Sequence, residues 1–132
     1  MAALTDERKR AITAPLRRAA PALAWACLIF AGSSVPGTGI PGGFSVQGHL
    51  VEYAVFGALV LHALIPHGPT RRAAYVALAV CAVYAVTDEV HQSFVPGRMP
   101  DPADWALDAI GSSIGIAAGL LIARWRASRQ AG

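Results

Sequence analysis

Apolar residues gather into four stretches along this chain, at residues 19–35, 46–65, 73–87 and 103–123. The joints between them are rich in glycine and proline: Val35-Pro-Gly-Thr-Gly-Ile-Pro-Gly-Gly, Pro66-His-Gly-Pro and Val95-Pro-Gly-Arg-Met-Pro-Asp-Pro. A helix needs about 20 residues to cross the hydrocarbon of a bilayer, with about 17 as the short limit. Each stretch therefore reads as a membrane-spanning helix. The third meets that length if Arg72 snorkels at one end and the helix runs past Asp88 at the other. The pattern predicts an all-α polytopic membrane protein: a basic segment over residues 1–18, four transmembrane helices within 19–123, and a basic tail over 124–132.

Composition narrows the reading. Of 132 residues, 55% are hydrophobic and 14% charged, with a mean hydropathy of +0.46. An average soluble chain is about 25% charged, so too little polar surface exists here to keep a globule of this size in water. The net charge of +3 does not point to nucleic acid, because the basic residues flank apolar stretches instead of forming one patch. Arg8, Lys9, Arg10, Arg17 and Arg18 precede the first stretch, Arg71 and Arg72 fall between the second and third, and Arg124, Arg126 and Arg129 follow the fourth. Ten of the eleven cations thus fall on one side of a four-crossing path, Arg98 being the exception. The positive-inside rule then gives both termini to the cytoplasmic side of the membrane. Trp25, Tyr75 and Trp125 are expected in an inner aromatic belt, and Tyr53, Tyr84, Phe94 and Trp105 in an outer one.

Two details could mislead. The basic start and Ala31-Gly-Ser-Ser resemble a secretory signal, but a 17-residue apolar core exceeds the usual 7–15 residues, so an uncleaved helix is expected. Cys27 and Cys81 fall in mid-span and read as packing residues.

The ionisable residues converge. Six of eight acids lie at or beyond the extracytoplasmic ends of the last three stretches: Glu52, Asp88, Glu89, Asp101, Asp104 and Asp108. Charge inside a membrane is costly and therefore partnered or functional. His49, Glu52, Tyr53 and Phe56 follow a helical i, i+3, i+4, i+7 spacing and share a face. Asp104, Asp108, Gly111, Gly115 and Gly119 fall within about an 80° arc. The glycines repeat every fourth residue, which admits a close helix neighbour, either within the bundle or in a homodimer. Asp101, before Pro102, reads as an N-cap. Of the adjacent pair Asp88 and Glu89, Glu89 is expected to face the site together with Gln92.

The residues predict a pocket with general acid–base capacity on His49, Glu52, Glu89 and Asp108. Arg98, Gln92, Tyr53, Asp104 and Asp88 are candidate substrate contacts, with Arg98 either clamping an anion or bridging a carboxylate to fold its loop back. A divalent metal is a further candidate, taking mixed nitrogen and oxygen donors from His49, Glu52 and His91, with Glu89 and Asp108 in reach. No pair has a signature spacing such as His-Glu-x-x-His. An enzyme acting on an amphipathic substrate at the outer leaflet, a non-catalytic protein that binds a lipid head group or a partner membrane protein, and an ion-coupled transporter all remain open. Transport ranks last, because no ionisable residue continues the path through mid-membrane.

Three stretches carry a family resemblance. His49-Leu-Val-Glu-Tyr-Ala-Val-Phe-Gly resembles the His-Phe-x-x-Tyr-x-x-Leu-Gly-like helix of VanZ-like membrane proteins. Asp88-Glu-Val-His-Gln-Ser-Phe-Val-Pro-Gly-Arg, followed by Asp104-x-x-x-Asp108-x-x-Gly-x-x-x-Gly, resembles that family's second half. The likeness runs over about residues 47–119, and departs in placing Asp108 where asparagine is common. It implies a four-helix bacterial membrane protein whose founding member is linked to low-level resistance to teicoplanin, a glycopeptide directed at cell-wall precursors. It implies no defined chemical activity.

Overall fold

The computed structural model describes residues 2–37, 44–66, 68–130 and 132, with side chains described from residue 13 and, in the second helix, from residue 47. Arg8, Lys9, Arg10, His67 and most of the joint between the first two stretches therefore lie outside the described side chains. Four helices follow in order: α1 (Ala2–Ser33), α2 (Phe44–Leu64), α3 (Arg71–Gln92) and α4 (Pro102–Gln130). No strand occurs among the described residues. By length and composition α3 and α4 can cross a membrane, with mean window hydropathies of 1.5 and 1.8.

Helix ends obey local chemistry. Thr70 caps α3, its hydroxyl accepting from Ala73 N at 3.0 Å. Asp101 caps α4, its Oδ1 accepting from Ala103 N at 2.8 Å, with Pro102 as the first helical residue. The third apolar stretch does continue past Asp88, to Gln92. The basic residues at both ends of the chain are helical too, α1 passing through Pro15 and Pro21 and α4 reaching Gln130. At 1.5 Å per residue, α1 is about 48 Å long and α4 about 44 Å, longer than a hydrocarbon layer of about 30 Å.

The seam between α2 and α4 sets the register of the bundle. The two helices run parallel. A Cβ on Gly111 would meet Leu50 O, one on Gly115 would meet Ala54 O, and Gly119 lies against Ala58 and Leu61. Gly57 closes on α4 from the other side, where a Cβ would fall 2.6 Å from Ser112 O. Small residues thus face small residues on both helices, and backbones touch. The glycine stripe is filled by α2 of the same chain, so it presents no face to a second copy. A homodimer on Gly111, Gly115 and Gly119, the alternative to packing within the bundle, would have to displace α2 from that stripe.

Burial runs opposite to that of a soluble bundle. Asp108 is 0% exposed, Ser112 1%, Gln92 2% and Asp88 4%, whereas Leu23, Val51, Val83, Val90, Ile114 and Leu121 are open. The buried face of α3 reads Ala73, Ala77, Cys81, Ala85, Asp88, Gln92, a stripe of small residues ending in two polar ones. Apolar side chains outside and polar ones inside suit a lipid surround, not water.

The expected aromatic belts are partly redistributed. Tyr53, with Phe56 and Tyr84, forms an internal cluster with centroids 5.0–6.4 Å apart. The cause is the face Tyr53 shares with His49, which the other helices cover. Tyr84 Oη donates to Ala26 O at 2.6 Å, and Trp25 Nε1 to Glu52 O at 2.9 Å, so both tie α1 to its neighbours instead of marking an interface. Tyr75, Phe94, Trp105 and Trp125 remain exposed.

A direct test uses two glycines of contrasting surroundings. Gly115→Ala should destabilise the protein by about 1–3 kcal/mol, the usual cost of overpacking. Gly48→Ala, whose Cβ meets nothing within 4 Å, should be neutral or slightly stabilising. Thermal unfolding in detergent reads both.

Candidate functional site

The register of the α2/α4 seam places His49 beside the first turns of α4. Its Nδ1 lies 2.9 Å from Asp108 Oδ1, and its Nε2 3.7 Å from Asp104 Oδ2. Asp104 and Asp108 are one turn apart, so they bracket the imidazole with one carboxylate at each nitrogen. Glu89 arrives from α3. One ligand atom each from His49, Glu89 and Asp108 lies within 4.8 Å of the other two. Three helices thus contribute to one point.

Asp88 and Glu89 divide the roles in a way that adjacency alone obscured. Asp88 is the buried one, and Gln92 Nε2 donates to its Oδ2 at 3.0 Å. Gln92 therefore serves Asp88, four residues back, and not Glu89. Glu89 Oε2 accepts from Asp101 N at 3.1 Å, which ties the end of α3 to the start of α4. Glu52 is half-buried with a carboxylate oxygen near Gly32 of α1, and feels the fields of His49, Asp88, Asp108 and Arg98. It borders the cluster from the α1 side.

His91 lies elsewhere. Its ring stacks on Phe30 with centroids 4.1 Å apart, and its Nε2 lies 3.0 Å from Ser34 Oγ. Three residues on from Asp88, it sits on the face of α3 that meets α1. The metal set expected from His49, Glu52 and His91 is not assembled; His49, Glu89 and Asp108 are the three that meet.

Among the described residues Arg98 forms no ion pair with a carboxylate. Its Nε donates to Val35 O and its Nη2 to Gly32 O, both at 3.3 Å, and its Nη1 to Gln92 Oε1 at 3.4 Å. Carbonyls at the C-terminal end of a helix and just past it lack intrahelical N–H donors, and a guanidinium beside them is a common remedy; here Gly32 O also accepts from Val35 N at 3.1 Å. A chain of bonds then runs from Arg98 through Gln92 to Asp88. The Pro96-Gly97 turn supports this placement. Gly97 has φ +76°, Gly37 N donates to Pro96 O at 3.1 Å, and a Cβ on Gly37 would strike Gly97 O.

What the cluster lacks is hydrogen-bond partners. Asp88 Oδ1, Glu89 Oε1, Asp108 Oδ2, Tyr53 Oη and Ser112 Oγ are all buried with none among the described residues. Native interiors leave few such groups, and each unmet one costs about 1–3 kcal/mol or more. Ser112 and the position of Tyr53 inside the cluster extend the site toward mid-bundle. A helical projection from Asp108, with Ser112 at i+4, carries that signal. Beside the cluster lies an apolar groove of about 390 Å³, lined by Val86, Val90, Pro100, Pro102 and Trp105, with Glu89 in its wall.

The His49–Asp108 pair invites a cycle of substitutions. His49→Leu leaves Asp108 fully buried without its partner and should destabilise by about 3–5 kcal/mol. The double change His49→Leu with Asp108→Leu should recover much of that loss. Thermal unfolding of the four proteins in one detergent measures the coupling.

The comparisons with known proteins bear on this geometry. No curated protein and no solved structure matches the chain. The family model described as VanZ/LLP1 matches residues 19–124, which takes in α2, α3, most of α4 and every residue of the cluster. The chain belongs to the VanZ-like family.

Proposed function

We propose that this membrane protein acts on an amphipathic, lipid-linked molecule of the bacterial cell envelope. In this reading all four helices cross the cytoplasmic membrane, both termini lie in the cytoplasm, and the cluster opens at the extracytoplasmic leaflet. The sidedness of the arginines supports that orientation. The substrate's apolar part lies along the groove of Val86, Val90 and Trp105, and its polar part meets His49, Glu89 and Asp108.

One observation carries the proposal. Glu89 belongs to both places, lining the apolar groove and supplying an atom to the polar cluster. A molecule with a lipid tail and a polar head matches that adjacency. His49, bracketed by carboxylates, and Glu89 are suited to passing a proton to or from the head group. Tyr53, Asp88 and Asp104 complete the polar wall.

The competing readings fit less well. A non-catalytic binder that orients an anionic ligand through Arg98 would need a free guanidinium, and this one is committed to Val35, Gly32 and Gln92. For transport, Phe56, Val60, Leu61 and Ile116 are buried between the cluster and the opposite end of the bundle. The family resemblance makes tolerance of glycopeptides such as teicoplanin the biological setting of the proposal.

Lipid analysis of cells carrying Glu89→Gln or Asp108→Asn tests it. Accumulation of a lipid-linked envelope precursor is the expected result. Unchanged lipids accompanied by lost glycopeptide tolerance would overturn turnover in favour of binding.

A further inference from the structure

We infer that His49, Glu89 and Asp108 form a binding site for one first-row divalent metal ion of the Mn2+ or Zn2+ class. The inference deepens the reading above, since it concerns the same cluster.

Three observations lead there. The first is composition: one imidazole and two carboxylates, from α2, α3 and α4, each present a ligand atom within 4.8 Å of the others. Ligand atoms about 2.0–2.2 Å from a central ion must lie within roughly twice that distance of one another, so small side-chain rotations close the set. The second is the unmet acceptors. Asp108, at 0% exposure, bonds His49 through Oδ1 and leaves Oδ2 buried and unpartnered, and Glu89 Oε1 is buried and unpartnered as well. Nearby, Asp88 Oδ1 and Tyr53 Oη are in the same condition, on residues 4% and 0% exposed. Apart from the hydroxyls of Tyr53 and Ser112, the unmet atoms at this end are carboxylate oxygens, acceptors without a donor.

The third is charge. Glu52, Asp88, Glu89, Asp104 and Asp108 lie around one histidine, and the nearby Arg98 guanidinium donates to the Val35 and Gly32 carbonyls and to Gln92. Buried anions are paired or coordinate metals, because leaving them bare in a low dielectric is too costly. A divalent cation supplies what Arg98 does not.

Donor chemistry selects the ion. An imidazole beside carboxylates suits zinc and manganese, whereas calcium and magnesium favour all-oxygen shells. Three protein ligands leave at least one coordination position for water or a substrate oxygen, the arrangement of reactive rather than purely structural sites. Asp104 stands behind the shell, its Oδ2 3.7 Å from His49 Nε2, where a carboxylate favours the ring orientation that a ligating histidine needs.

The test needs no knowledge of the substrate. The full chain is purified in detergent, stripped with chelator, and titrated with Mn2+ alone and Zn2+ alone, with bound metal counted by mass spectrometry. One equivalent is expected, with Ca2+ and Mg2+ bound at least about tenfold more weakly. Glu89→Gln, which keeps the shape of a half-buried side chain, should lose about 10–100-fold in affinity. His91→Ala should bind as the unaltered protein does. Circular dichroism establishes that each variant is helical before titration. No stoichiometric ion in the folded protein, equal affinity in Glu89→Gln, or loss of the ion in His91→Ala each overturns the assignment. An empty site together with precursor accumulation in Asp108→Asn cells would sink the metal and leave the lipid-directed reading standing. Bound metal with unchanged cellular lipids would do the reverse.

Discussion

Backbone contact between α2 and α4 is the constraint on which the rest of this molecule depends. Leu50 against Gly111, Ala54 against Gly115 and Ala58 against Gly119 are three pairs with one offset, 61 residues each. A repeat of four residues on both helices holds that offset for the length of the contact. Extended toward the N-termini, it delivers His49 to Asp108 and Asp104. The imidazole reaches its carboxylates because glycines one turn deeper allow no slack. A side chain at Gly111 or Gly115 would separate the helices at the depth where the polar groups must meet.

A second consequence concerns the medium. With apolar side chains outward, lipid offers the helices little hydrophobic reason to associate, so packing of small residues and internal polar contacts must hold them. The structure uses both. Small residues line the inward face of α3 from Ala73 to Ala85 before it turns polar at Asp88 and Gln92. Trp25, Tyr84 and Arg18 each donate to a carbonyl of a neighbouring helix. The cluster is where this scheme is left incomplete, with carboxylate oxygens that no donor among the described residues satisfies.

Much of this was legible in the sequence, and the limits have physical causes. Four helices follow from four apolar stretches, because few charges interrupt them. The meeting of His49, Glu89 and Asp108 follows from their periodicity and the depth at which each chain segment turns. What periodicity does not give is the rotation of one helix about its own axis. Glu89 was expected to carry Gln92, yet Gln92 belongs to Asp88, and His91 turns to Phe30 and Ser34 on α1. The small residues Ala54, Gly57 and Ala58 complement the stripe on α4, and their spacing was available to be read. Arg98 was weighed against anions, while the acceptors that captured it are main-chain carbonyls of α1, invisible to any reading of side-chain types.

Arg98 holds Gly32 O in the last turn of α1 and Val35 O just beyond it, and at the far end of the bundle Arg18, itself on α1, holds His62 O in the last turn of α2 and Ile65 O just beyond it. The first helix is thereby fastened at top and bottom like a bolt in two brackets, and axial sliding would strip both.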